Sequence, residues 1–217
     1  MKEHPIIMST PMVRAILEGR KNQTRRVISA ANSTVLGYPV SRKSALWTGL
    51  IWDARVFKDC GPHVRCKYEP GDRLWVKETH TWVTLAEKDP WKDRAIADGS
   101  FRRTDKGEPV MMCYKADGYE IPASWRPSIF TPRWASRLTL EITNVRVEKL
   151  NCITESDAHA EGMTGKLYQE ATGRLLTCAR DVFQWYWDSL NGKRGYGWTT
   201  NPWVWVLTFK KVDLGEG

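Results

Sequence analysis

In the stretch GRKNQTRR, residues 19 to 26, Gly19, Lys21, Thr24 and Arg26 stand at two-, three- and two-residue steps, with Arg25 beside the last. A lysine and an arginine this close can grip a phosphate as point charge and planar fork, with the threonine capping a turn. The same group can equally be one wall of an active site, or a solvated helix end. A second candidate is Glu78, which shares a strand face with Leu74 and Val76. A carboxylate on an apolar face sits either at an exposed strand end or in a site. His80, two residues on, is a candidate proton carrier, although a structural histidine is the favoured reading. Cys60, His63 and Cys66 offer three zinc donors within seven positions, but their spacing fits none of the paired patterns of structural zinc sites, so no metal or other cofactor is expected.

The basic stretch must be held by what precedes it. Residues 5 to 8 (PIIM) read as a short strand and STPMVRAILEGRK as a helix. Ser9 or Thr10 is the N-cap and Pro11 sits where a missing N–H costs nothing. Met12 and Ile16, and Val13 and Leu17, are apolar pairs one turn apart, and Gly19 takes the left-handed position after the last turn. Lys21 and Thr24 then lie on a turn or extended segment leaving that helix.

Further along, residues 30–66 are turn-rich and aperiodic apart from a strand signal at LWTGLIW, and read as an insertion. Pro70-Gly71-Asp72 turns the chain into a strand in which Leu74, Val76 and Glu78 alternate with Trp75, Lys77 and Thr79. Residues 86–128 read as a second insertion, irregular except for a strand at PVMMCYKA. In SRLTLEITNVRVEKL the apolar phase shifts near Asn144, the mark of a bulged strand. ITESDAHAEGM reads as a short helix capped by Thr154, with Asp157 at capping-box spacing, Glu161 as its last residue and Gly162 as its stop. Residues 172 to 192 read as the longest helix, burying Leu175, Ala179, Val182, Phe183, Tyr186 and Leu190. PWVWVLTFKKV is apolar on both faces, as a covered central strand must be. Strands mixed with short helices and lacking regular βαβ units define an α+β chain, read as one elaborated domain over residues 1–217 around a small barrel or curled sheet.

The formal charge is +8, and +7 of it lies within residues 1 to 82, around the basic stretch. Such a surplus draws polyanions, nucleic acid first among them. Five cysteines, no apolar run of about 18 residues and no secretory leader lead to the expectation of a cytosolic, non-membrane protein. Several of the twelve tryptophans stand beside basic residues, as in RLWVKETHTW, ASWRP and PRWASR. Such rings fill cores or stack on bases.

Taken in order, G-x-K-x-x-T-x-R, PGDRLWV, TESDAHAEGM and NPWVWVLTFKKV resemble the ASCH superfamily, and the longer forms resemble the ASCH proteins of tailed phages and prophages. The resemblance implies a PUA-like β-barrel with flanking short helices, outside which the two insertions fall, and association with RNA. Some small bacterial members remove the acetyl group of N4-acetylcytidine with a Lys, a Thr and a Glu. Carried over, these fall on Lys21, Thr24 and Glu161, with Gly19, Arg25, Arg26, Glu78 and Trp75 left for binding RNA or a modified nucleoside. In that chemistry a lysine of lowered pKa takes the threonine proton and a carboxyl group donates to the leaving amine. A metal-free ribonuclease would use the same groups. A module that only binds RNA or reads a modified base would need no more than their charge, and a regulator acting through the insertions is a third class.

Overall fold

A computed structural model of the chain describes residues 1–28, 66–86, 88–97, 99–118 and 124–212. The described residues belong to two compact units. The first draws on Met1–Arg20, Asp72–Glu141 and the chain end from Lys210; the second on Lys21–Gly71 and Ile142–Phe209.

In the first unit, β1 (Glu3–Ile7) runs parallel to β3 (Arg73–Lys77), which pairs antiparallel with the start of β7 (Thr139–Lys149). Between β1 and the basic stretch lies α1 (Thr10–Leu17), with Ser9 at the N-cap and Pro11 in its first turn; Met12, Val13, Ala15 and Ile16 are buried. Its end follows from Gly19, whose φ of +73° lets Gly19 N–H reach the Ile16 carbonyl and Arg20 N–H the Ala15 carbonyl. This paired closure satisfies the last helical carbonyls and needs a residue without Cβ. A second sheet in this unit has the order β4 (His80–Thr84), β6 (Pro109–Tyr114), β5 (Phe101–Arg103), with α2 (Trp91–Ala97) leading into it. Val110, Met112 and Tyr114 of β6 pack with Ala135, and Trp82 and Trp134 close over them. Residues 86–128 thus hold the expected strand as β6, and with it α2 and β5, which their polar composition does not predict: β5 pairs along β6, and α2 buries Ala95.

In the second unit the rest of β7 neighbours β8 (Trp203–Val212), and β8 pairs antiparallel with β2 (Gln23–Val27). Val204 to Leu207 are all buried, as a central strand requires. The phase shift in β7 appears as burial of both Ile142 and Val145 across two exposed residues. Around these strands lie α3 (Glu155–Ala160), α4 (Gly165–Thr172) and α5 (Ala179–Asn191). The single long helix expected over 172–192 is corrected here: Gly173, at φ +71°, ends α4, and α5 starts only at Ala179. The buried stripe of α5 is Ala179, Val182, Phe183 and Trp187, whereas Leu175 and Leu190 are exposed. Each fully buried aliphatic or aromatic side chain of this kind contributes about 1.5–3 kcal/mol.

Mixed helices and sheets make the chain α+β. Among the described residues no pairing closes the strands into a barrel. The strand signal at LWTGLIW and all but the last residue of the 30–66 segment lie outside the described residues. No described helix is long and apolar enough to cross a membrane.

Candidate active site

Lys21 leaves the glycine-ended helix and forms an isolated antiparallel bridge with Glu161, the C-cap of α3. Asn22 N–H binds the Ala160 carbonyl and its own carbonyl accepts from Phe209 N–H, so the segment is tied on both sides before β2 begins. α3 is held in turn by Thr154, whose hydroxyl accepts from Asp157 N–H at 3.1 Å, and by Gly162 at φ +85°, which turns the chain immediately after Glu161. Two residues 140 apart in sequence are thereby set face to face.

The Lys21 ammonium donates to Glu161 Oε2 at 2.7 Å, to the Gln23 carbonyl at 2.7 Å and to the Glu161 carbonyl at 2.9 Å. Its three N–H bonds are thus all engaged. The side chains of Lys21 and Glu161 are 1% and 4% exposed, so the pair is dry. Burial holds the Lys21 pKa below its ordinary 10.5; Glu161 opposes this, and the neighbouring Arg26 and Arg25 add to the lowering.

Arg25 is wholly buried and each of its five N–H groups has an acceptor. Nε and Nη2 donate to Glu148 Oε1, Nη1 to Gln23 Oε1 at 2.7 Å and to Glu161 Oε1 at 3.1 Å, and Nη2 also to Asp157 Oδ2 at 3.1 Å. Arg146 completes the cluster by donating to Glu148 at 3.1 Å and Asp157 at 3.0 Å. Three cations thus face three carboxylates, and Glu161 is gripped through both oxygens, one by Lys21 and one by Arg25. No donor of Arg25 is left over for a phosphate.

Burial would raise the Asp157 carboxyl, but the guanidiniums of Arg146 and Arg25 outweigh it and hold the pKa below 3.8. A depressed carboxylate contributes stability that is present above the unfolded pKa and lost as pH falls through the folded one. Asp157→Asn should therefore be less stable than wild type at neutral pH, with the gap in melting temperature closing below pH 3.8; a gap independent of pH would mean that the ion pairs contribute nothing.

Thr24 is buried on β2, opposite Leu207. Side chains alternate along a strand, so Thr24 and Arg26 share one face of β2 while Gln23 and Arg25 share the other. Arg26 is half-buried; burial lowers its pKa, and Tyr68, Glu161 and Tyr186 are the electrostatic neighbours that oppose this. Gly19 ends α1 through its backbone, two residues before Lys21.

Of the other sequence candidates among the described residues, Glu78 and Trp75 belong to the first unit and Cys66 to the second. Glu78 is buried and paired with Arg137, which donates to its two oxygens at 3.0 and 3.1 Å and also binds Asp117. Burial raises the Glu78 pKa and Arg137 opposes it. Trp75 lies on the outer face of β3 with Lys77 and Arg133 over its ring, 5.6 and 5.9 Å from its centre. Cys60 and His63 lie outside the described residues. Burial pushes the Cys66 thiol up to about 11, and no group of three metal-ligating side chains occurs among the described residues.

Sequence reasoning gave no role to Glu148 and Arg146, and assigned Asp157 only to the helix cap. The alternation in VRVEK, which puts Arg146 and Glu148 on one face of β7, was the available signal.

No family model matches the chain, and no curated protein matches it. Among solved structures, the crystal structure of an ASCH domain from Lactobacillus crispatus aligns over 97% of this chain and 79% of its own, at 12% identity and a TM-score of 0.38. A score that low carries no argument about fold or function.

Proposed function

We propose that the second unit carries an amide hydrolase acting on an acylated nucleobase, of which N4-acetylcytidine, free or in RNA, is the simplest case. The observation that carries this reading is the dry Lys21–Glu161 pair, 2.7 Å apart, with the lysine pKa pulled down. The resemblance to ASCH amidohydrolases, stated on the Lys21, Thr24 and Glu161 positions, supplies the substrate class.

The chemistry balances with these groups. A proton moving from the Lys21 ammonium to Glu161 leaves an amine and a carboxylic acid, the two forms that the reaction needs. The amine takes the proton of the Thr24 hydroxyl as its oxygen attacks the amide carbon. Negative charge then develops on the former carbonyl oxygen, and Arg26, on the same β2 face as Thr24, is the cation assigned to stabilise it. The C–N bond breaks as Glu161 gives its proton to the exocyclic nitrogen, releasing the amino base. Water then cleaves the Thr24 ester, its proton restoring the hydroxyl. Arg25 is a positioning residue: it holds Glu161 Oε1 so that Oε2 stays on Lys21.

Because the active form is the pair holding a single proton, kcat/KM should fall as pH rises along a limb whose midpoint lies below the 10.5 of an ordinary lysine. Arg26 lowers the Lys21 pKa, so Arg26→Gln should shift that limb to higher pH besides lowering kcat. A pH–rate profile of the two proteins checks this, and an unshifted limb would remove Lys21 from the base role.

The full engagement of Lys21 and Arg25 favours one second reading: a neutral ion cluster that only braces α3 against β2, with Arg26 gripping the phosphate of a bound RNA. In that case the wild-type protein binds RNA and releases no amine from any acylated base.

A further inference from the structure

Three of the segments in which tryptophan stands beside a basic residue come together in the first unit. RLWVKETHTW supplies Trp82 on β4, ASWRP supplies Arg126, and PRWASR supplies Trp134. Arg126 forms an isolated bridge with His80 and lays its guanidinium 3.7 Å from the centre of the Trp82 ring. The His80 imidazole stacks on the same indole at 5.7 Å, and Trp134 meets it edge-on at 5.6 Å. Burial lowers the His80 pKa; the Glu78 carbonyl, 3.0 Å from Nδ1, opposes this, and Arg126 and Lys77 add to the lowering. Beside this stack opens a cleft of about 310 Å³ lined by Trp82, Phe130 and Trp134 together with Thr104, Asp105, Lys106 and Glu108. Phe130 is 70% exposed, beside Ile129 at 58%. Two large apolar side chains held in water next to an aromatic cleft mark a surface that meets something flat and apolar.

We propose that this cleft takes an unpaired nucleobase of a single-stranded nucleic acid. The base stacks on Phe130, with Trp82 and Trp134 as the wall. The Thr104 hydroxyl and the Glu108 and Asp105 carboxylates in its lining accept from an exocyclic amino group, which favours cytosine, adenine or guanine over uracil or thymine. Lys106 and Arg126, both exposed, meet the flanking phosphates. Stacking supplies most of the affinity here, because residues 83 to 130 are charge-balanced, with eight basic and eight acidic residues.

The competing occupant of an aromatic cleft with carboxylates is an organic cation. It is disfavoured because Arg126 already covers the Trp82 ring and Lys106 is part of the lining, so a second cation enters against like charge. This site stands on its own residues and does not depend on hydrolysis at Lys21. If both hold, the natural substrate is a strand rather than a free nucleoside.

The test is fluorescence anisotropy of end-labelled single-stranded RNA and DNA oligonucleotides, about 12 units long to span an ordinary single-strand site, of cytosine, of uracil and of abasic units, on the whole chain. Wild type should prefer the cytosine strand to the uracil strand, and both to the abasic one. Phe130→Ala, which removes an exposed ring and leaves the core intact, should weaken cytosine binding about tenfold, the scale of one lost base–aromatic stack. Lys166→Met, at a side chain 83% exposed on α4, should bind as wild type does. With two phosphate contacts, the slope of log affinity on log salt should be about −1.4. Preference for RNA over DNA would identify the 2′-hydroxyl as part of the ligand, and equal binding the base alone; both outcomes support the site. Equal affinity of Phe130→Ala and wild type, equal binding of abasic and cytosine strands, or no binding by wild type would overturn it. Saturable binding of tetramethylammonium, without strand binding, would overturn it in favour of the cation.

Discussion

Replacing Lys21 by methionine, or Glu161 by glutamine, should lower kcat for N4-acetylcytidine by about 10²–10⁴, the contribution of a positioned general acid or base. Both changes keep side-chain volume and remove one charge from a dry pair joined at 2.7 Å. Each single variant also strands a partner. Lys21→Met leaves Glu161 facing Arg25 alone, and Glu161→Gln leaves Lys21 without a carboxylate, so some loss of stability accompanies each. The double variant separates the two effects. With both charges gone from the Lys21–Glu161 line, the melting temperature should recover part of what either single change loses, whereas turnover should stay at the level of the worse single variant. If turnover followed melting temperature through the three variants, the pair would be a brace and not a catalyst. Thr24→Ala should match the catalytic loss with a smaller loss of stability than the charge variants, that of a buried methyl and hydroxyl, since none of the ion pairs involves Thr24.

The second large effect is on folding. Arg25→Met should destabilise the protein by about 3–5 kcal/mol, the cost of breaking a buried ion cluster from one side. For a chain of this length that is roughly 6–20 °C in melting temperature. The reason is local: Glu148, Asp157 and Glu161 all lose a guanidinium that meets each of them directly. Arg25→Lys should restore little, because an ammonium has three donors and no planar fork to span Glu148, Asp157, Glu161 and Gln23 at once. Thermal melts of the two variants check this; a loss below about 1 kcal/mol would mean that the cluster is solvated and that Arg25 does not fix Glu161.

What the sequence made legible was local in origin. The end of α1 at Gly19, the N-cap at Thr154 and the stop at Gly162 follow from rules that act over four or five residues, and each was readable. Two of those three features flank Lys21 or Glu161, so the placement of both residues at element ends was readable too. That Lys21 and Glu161 meet was available only through the family resemblance, because a 140-residue separation leaves no periodic trace. The role of Arg25 was hidden for the same reason. Beside Lys21 and Arg26 in the text it reads as one more phosphate contact, and its carboxylate partners lie 123 to 136 residues away.

The helix expected over 172–192 went astray for a different reason. Both Tyr186 and Trp187 are large enough to lead a buried face, and periodicity alone cannot rank them. Trp187 goes inside because its indole N–H finds the Tyr196 carbonyl at 2.7 Å, a partner supplied by the turn that follows α5. Leu175 is exposed because Gly173 ends α4 ahead of it and α5 starts only at Ala179. In the 86–128 segment the strand at PVMMCYKA was readable and is β6, whereas α2 and the three-residue β5 were not, because polar composition leaves so short an element no apolar pattern.

The most direct test is to mix wild-type protein with N4-acetylcytidine, quench in acid within the first turnover, and follow both the nucleoside and the peptide that bears Thr24 by mass spectrometry. Cytidine released in a burst, with an acetyl group on Thr24 that disappears as acetate forms and is absent from Lys21→Met, is the expected result. No cytidine from the free nucleoside or from acetylated RNA would contradict hydrolysis at the Lys21–Glu161 pair, and cytidine released without any acetyl-Thr24 would contradict Thr24 as its nucleophile.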